Sequence, residues 1–123
     1  MSRVRTLCQV AGALWLGIGV VATLMPSRFI PADIVNNDGW AHAAAFGVAV
    51  ALWTVALPGR AWAVLAVAAV AAVGSEVAQA TLLAGRDAQW ADVAADCAGI
   101  AVGLLVGLAA SAALAGRERR VSV

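Results

Sequence analysis

The sequence predicts an all-α integral membrane bundle of four transmembrane helices, and three observations predict it. The 123 residues are 63% hydrophobic and only 12% charged, whereas a soluble domain carries charge on about a quarter of its residues. The apolar residues fall into four long segments, each near the roughly 20 residues that span about 30 Å of hydrocarbon. All three prolines, Pro26, Pro31 and Pro58, lie between those segments. Lipid offers no partner to backbone N–H and C=O groups, so each segment must satisfy them internally, as a helix.

The first helix is read at residues 6–25. Arg3 and Arg5 precede it, as they would a signal peptide, but Leu24-Met25-Pro26-Ser27-Arg28-Phe29 contains no small-x-small cleavage pattern, so it is expected to stay as an anchor. The second helix, 39–57, begins after Asp38 and ends at Pro58-Gly59, a tight-turn pair. The third, 61–83, runs to the turn at Gly85-Arg86-Asp87, and the fourth, 90–115, ends before Arg117-Glu-Arg-Arg120. Such short links make neighbouring helices antiparallel within a single domain, 1–123. Cys8 and Cys97 are expected near opposite faces, too far apart for the roughly 4.4–6.8 Å Cα spacing of a disulfide, hence as buried free thiols.

Arginines set the orientation, because basic residues in short loops stay cytoplasmic. Arg3, Arg5, Arg60, Arg117, Arg119 and Arg120 fall on one face and only Arg28 and Arg86 on the other, so both termini are expected in the cytoplasm. The terminal basic cluster suits anionic lipid, and Trp40, Trp62 and Trp90 read as interfacial belt residues. Asp33, Asp38, Glu76, Asp87, Asp92 and Asp96 gather toward the outer face, where only two arginines oppose them.

The acids follow helical spacing. Asp38 and His42 are four apart on the second helix, Glu76 and Gln79 three apart on the third, and Asp92 and Asp96 four apart on the fourth, so each pair shares a face. Gly99, Gly103 and Gly107 continue the last face and read as a close-packing stripe, which turns Asp92 and Asp96 toward the other helices. At about 1.5 Å per residue, Glu76 and Asp96 lie roughly 10 Å inside their helix ends. Ionisable groups at that depth face a partner or a cavity and mark functional sites. Asp38 serves equally as a helix cap, Asp87 reads as a cap, Gln79 suits interhelical hydrogen bonding, and His42 alone suits a core position.

The order Asp38-x3-His42-x3-Phe46, Glu76-x2-Gln79, Gly85-Arg86 and Asp92-x3-Asp96-x2-Gly99-x3-Gly103 resembles the VanZ-like family of small bacterial membrane proteins over most of the last three helices. Family members read D-K-x-x-H-F-x-x-F, E-x-x-Q, an arginine, and D-x-x-x-N-x-x-G-x-x-x-G. Gly39 replaces the family's usual lysine and Asp96 its usual asparagine, so the site here should be more acidic. The resemblance implies a multi-pass protein of the bacterial cytoplasmic membrane, with a role in the cell envelope or in resistance to glycopeptides such as teicoplanin.

Three functions fit these residues. The preferred one is an outward-facing polar pocket of Asp38, His42, Glu76, Gln79, Arg86, Asp92 and Asp96 that binds an envelope lipid head group, a glycopeptide-type ligand or a cation. In it, Arg86 grips a phosphate or carboxylate through its planar fork. The second is a membrane hydrolase or transferase: His42, Glu76, Asp92 and Asp96 are suitable ligands for a divalent cation, and His42, Glu76 and Asp96 are candidates for acid–base work. Against it, there is no H-E-x-x-H or other catalytic signature, and Ser75 beside Glu76 is a poor nucleophile because adjacent helix positions diverge. The third is a structural accessory subunit of a membrane complex. A net charge of +1 spread over both faces argues against nucleic-acid binding.

Overall fold

The computed structural model describes residues 3–29, 39–82 and 89–121. Four α-helices account for nearly all of them: α1 (Arg3–Thr23), α2 (Gly39–Ala56), α3 (Ala61–Leu82) and α4 (Trp90–Val121), with a short 3-10 turn at Ser27–Phe29. All four are long and apolar enough to cross a membrane. Three match the expected boundaries within a few residues. The fourth runs through Gly116 and the basic tail to Val121 instead of stopping near Ala115. Extending an existing helix needs no new nucleus, and Arg119 and Arg120 in its last turn complement the negative end of its dipole.

Polarity in this bundle is inverted relative to a soluble one. Thr54, Glu76, Gln79, Asp92 and Asp96 are buried, while Leu7, Leu14, Ile18, Val67, Val70 and Leu105 are exposed. That distribution is stable only where the surroundings are as apolar as the side chains. The small core comprises Val50, Val64, Ala68, Ala72 and Ile100, flanked by Phe46, Trp53, Leu57, Leu65 and Leu104. Trp40, Trp62 and Trp90 at the helix ends are all exposed, as interfacial residues should be.

The seam between α2 and α4 is the most extensive of the interfaces. A side chain at Gly99 would run into the Ala43 carbonyl, and one at Gly103 into the Gly47 carbonyl, so the two backbones pass almost in contact. At the far end of this seam, Ser111 Oγ donates to the Thr54 carbonyl at 3.4 Å. The α2–α3 link is a type II turn: Arg60 N–H donates to the Leu57 carbonyl at 3.0 Å, Pro58 takes the second position and Gly59 the third with φ 78°.

α1 rests on α2. Gly12, its one buried residue, lies where a Cβ would be 2.9 Å from Trp53 Nε1, and Trp15 Nε1 donates to the Ala45 carbonyl at 2.9 Å. Arg5 pairs with Glu118 at 3.5 Å, which puts the start of α1 and the end of α4 at the same end of the bundle. Cys8 and Cys97 are both free, as expected, but neither is buried: Cys8 is half-covered and Cys97 is exposed. The face of α4 that packs is the Asp92–Asp96–Gly99 face, which leaves Cys97 outside.

Candidate functional site

The end of the bundle opposite the Arg5–Glu118 pair is where α2 and α4 begin and α3 ends. Counting about 1.5 Å per residue, His42 sits roughly one turn into α2, and Asp92 and Asp96 within the first two turns of α4. Glu76 lies roughly 9 Å back from the end of α3. The Gly99–Gly103 seam fixes the rotation of α4 against α2, bringing its acidic face onto His42.

There the side chains form one cluster. His42 Nδ1 lies 3.0 Å from Asp96 Oδ1, and His42 Nε2 lies 4.0 Å from Asp92 Oδ2. Ligand atoms of His42, Glu76 and Asp92 all lie within 4.8 Å of one another. Asp96 is completely buried, Glu76 is 4% and Asp92 6% exposed, and the His42 side chain retains 13%. Glu76 Oε2 accepts the Gln89 backbone N–H at 2.9 Å. Gln89 in turn supplies the first carbonyl of α4, accepting from Asp92 N–H at 3.0 Å, so Glu76 pins the start of α4 to α3. Two carboxylate oxygens, Glu76 Oε1 and Asp96 Oδ2, are buried with no hydrogen-bond partner among the described residues.

Beside the cluster, between α1 and α3 and over the face of α2, lies a cavity of about 580 Å³. Its walls are mostly apolar, with polar side chains from His42 of α2, Ser75 and Gln79 of α3 and Thr23 of α1. Ser75 Oγ donates to the Ala72 carbonyl at 2.8 Å, a local bond that holds the hydroxyl on its own helix. His42 belongs to both places: its ring nitrogens face the cluster and it also lines the cavity.

His42, Glu76, Asp92 and Asp96 thus come together, and Gln79, buried one turn beyond Glu76 on α3, lines the cavity beside His42. Asp38, Arg86 and the expected cap Asp87 lie outside the described residues. Among the described residues, the acids are packed among three helices, and the open volume beside them is mostly apolar and walled partly by α1. In the sequence, α1 reads as an anchor only. The signal for the chamber is a row of small residues at spacing four on α2, Ala41, Ala45 and Ala49, facing Ala71, Ser75 and Gln79 on α3, also at spacing four. Gln89 escapes sequence reasoning because it acts through its main chain.

His42 Nδ1 faces Asp96 and Nε2 faces Asp92, so each ring nitrogen meets a carboxylate, and which one carries the proton follows the tautomer. The chain matches no protein-family model, no curated protein and no solved structure.

Proposed function

We propose that this protein is a VanZ-like membrane protein that binds a single-headed amphiphile of the cell envelope. The polar head lies against His42 at the edge of the acidic cluster, and the hydrocarbon tail lies in the chamber between α1 and α3. The observation that carries this reading is that His42 belongs to both the Asp92–Asp96–Glu76 cluster and the wall of the apolar cavity of about 580 Å³. That volume falls within the roughly 300–1,000 Å³ of small-molecule sites, which combine mostly apolar walls with a few placed polar groups.

Other features agree with it. Ser75 and Gln79 add hydrogen-bonding capacity along one edge of the chamber. Arg28 lies on the turn just after the chamber residues Leu24 and Met25, stacked over Phe29 at 4.8 Å from the ring centroid, where it can meet a phosphate or carboxylate. The arginine-rich ends favour cytoplasmic termini, which would set the cluster toward the outer face. The VanZ-like order of motifs supports an envelope role, with glycopeptide resistance as its expected phenotype.

The reading is tested by lipid extraction and mass spectrometry of the purified protein, followed by crosslinking with a photoactivatable fatty-acid-tailed lipid. Labelling is expected on Ala45, Ala49 or Gly19, and on the α1 face around Val20. Labelling confined to the outward faces of α3 and α4, at Val70 or Leu105, would refute a chamber-bound tail.

A further inference from the structure

The unpaired oxygens of the cluster raise the question of what they face. Glu76 is 4% exposed, yet only Oε2 has a partner, the Gln89 N–H; Oε1 is buried with none among the described residues. A buried carboxylate oxygen without a partner costs several kcal/mol unless a proton, hydrogen bond or cation reaches it. Three carboxylates converge on one imidazole here, which concentrates negative charge in a region of low dielectric. A divalent cation would offset both costs together.

The donor set fits such an ion. His42 Nδ1 is occupied by Asp96 at 3.0 Å, and Nε2 points to the side where Asp92 stands at 4.0 Å. Metal-bound histidines usually have their second nitrogen held by a carboxylate in this way, which fixes the tautomer and makes the ligating nitrogen more basic. The three ligand atoms lie within 4.8 Å of one another, whereas bonds of about 2.0–2.2 Å to a tetrahedral ion would set them roughly 3.3–3.6 Å apart. Closing that gap takes shifts of about an ångström or less at each side-chain end. One imidazole with two carboxylates selects a zinc-type ion over magnesium or calcium, which prefer oxygen-only sets and keep more water. Cys97, next to Asp96 in sequence, is exposed and takes no part.

We propose that His42 Nε2, Glu76 and Asp92 bind one zinc-type divalent ion, with Asp96 as the positioning residue that orients His42. Three protein ligands leave a coordination position for a water or for an anionic donor of a bound molecule. Because His42 also borders the chamber, the ion would be the element that receives the head group. This inference deepens the amphiphile reading and rests on the same site.

The test uses the full-length protein in detergent, stripped with a chelator and titrated separately with Zn²⁺ and Mg²⁺. One Zn²⁺ per chain is expected, with at least about tenfold preference over Mg²⁺. Asp96→Asn should keep the stoichiometry and weaken binding about 10- to 100-fold. His42→Ala and Glu76→Gln should abolish specific uptake, while the Cys8→Ser/Cys97→Ser variant binds as wild type. Wild-type protein that takes up no Zn²⁺ in preference to Mg²⁺ overturns the proposal without recourse to any variant. So does uptake that survives His42→Ala or is lost with the two cysteines, and unchanged affinity in Asp96→Asn removes its positioning role. Lipid retained by a protein that binds no zinc refutes the metal site and leaves the amphiphile reading standing. Zinc bound by a chamber that labels with no lipid does the reverse.

Discussion

His42 Nδ1 and Asp96 Oδ1 meet at 3.0 Å across the α2–α4 seam, with Asp96 fully buried. The contact joins residues 54 positions apart in the chain, directly beside the place where Gly99 lets the two backbones close. Close packing and polar pairing therefore depend on each other here, since the glycines bring the helices near enough for the acid to reach the ring.

The pair should show energetic coupling. Removing one partner of a buried hydrogen bond leaves the other unsatisfied at a cost of about 1–3 kcal/mol, so His42→Ala and Asp96→Ala are each expected to lower stability by about that much. The double variant should lose less than the sum. Unfolding in mixed detergent micelles measures the cycle, and coupling below about 0.3 kcal/mol would mean the two residues act independently.

The helix seam gives a graded prediction. Gly99→Ala and Gly103→Ala place a methyl group against the Ala43 and Gly47 carbonyls and should each destabilise by about 1–3 kcal/mol through overpacking. Gly74→Ala, on α3 with nothing within 4 Å of the new methyl, should leave stability unchanged or raise it by up to about 1 kcal/mol through helix propensity. Thermal melts of the three variants side by side decide it. Equal effects at all three positions would contradict the close approach of α2 and α4.

Filling the chamber should block the proposed ligand without harming the fold. Gly19 lines the cavity, and a Cβ added there would meet nothing within 4 Å, so Gly19→Phe can enter the space from α1. The variant is expected to purify with wild-type thermal stability and to lose most labelling by the tailed photoprobe. Full labelling would move the tail elsewhere.

The Arg5–Glu118 pair predicts topology more than stability. Both side chains are partly exposed, so Arg5→Ala should change stability by less than about 1 kcal/mol. Reporter fusions at the two ends should nevertheless report the same side of the membrane, which the arginine pattern predicts to be the cytoplasm. Opposite sides for the two termini would be incompatible with an even number of crossings.

The sequence by itself determined the helices, because hydrocarbon thickness and the helical period act on local runs of residues. Four apolar segments, the proline and glycine breaks, and the pairing of Glu76 with Gln79 or Asp92 with Asp96 on one face all followed from spacing alone. Where Asp38 and Arg86 stand relative to the cluster lies outside the described residues. The tertiary structure decided which polar groups touch: His42 takes Asp96 as its close partner, Asp92 stands off at 4.0 Å, and Glu76 reaches the Gln89 main chain. It also decided that α1 walls a chamber and that Cys97 faces outward. These outcomes depend on how each helix is rotated and how closely it approaches its neighbours. That in turn is set by contacts such as Gly99 on Ala43 and Gly12 under Trp53, which join residues distant in the chain; the Gly99–Gly103–Gly107 spacing marks a packing face but does not say which helix it meets.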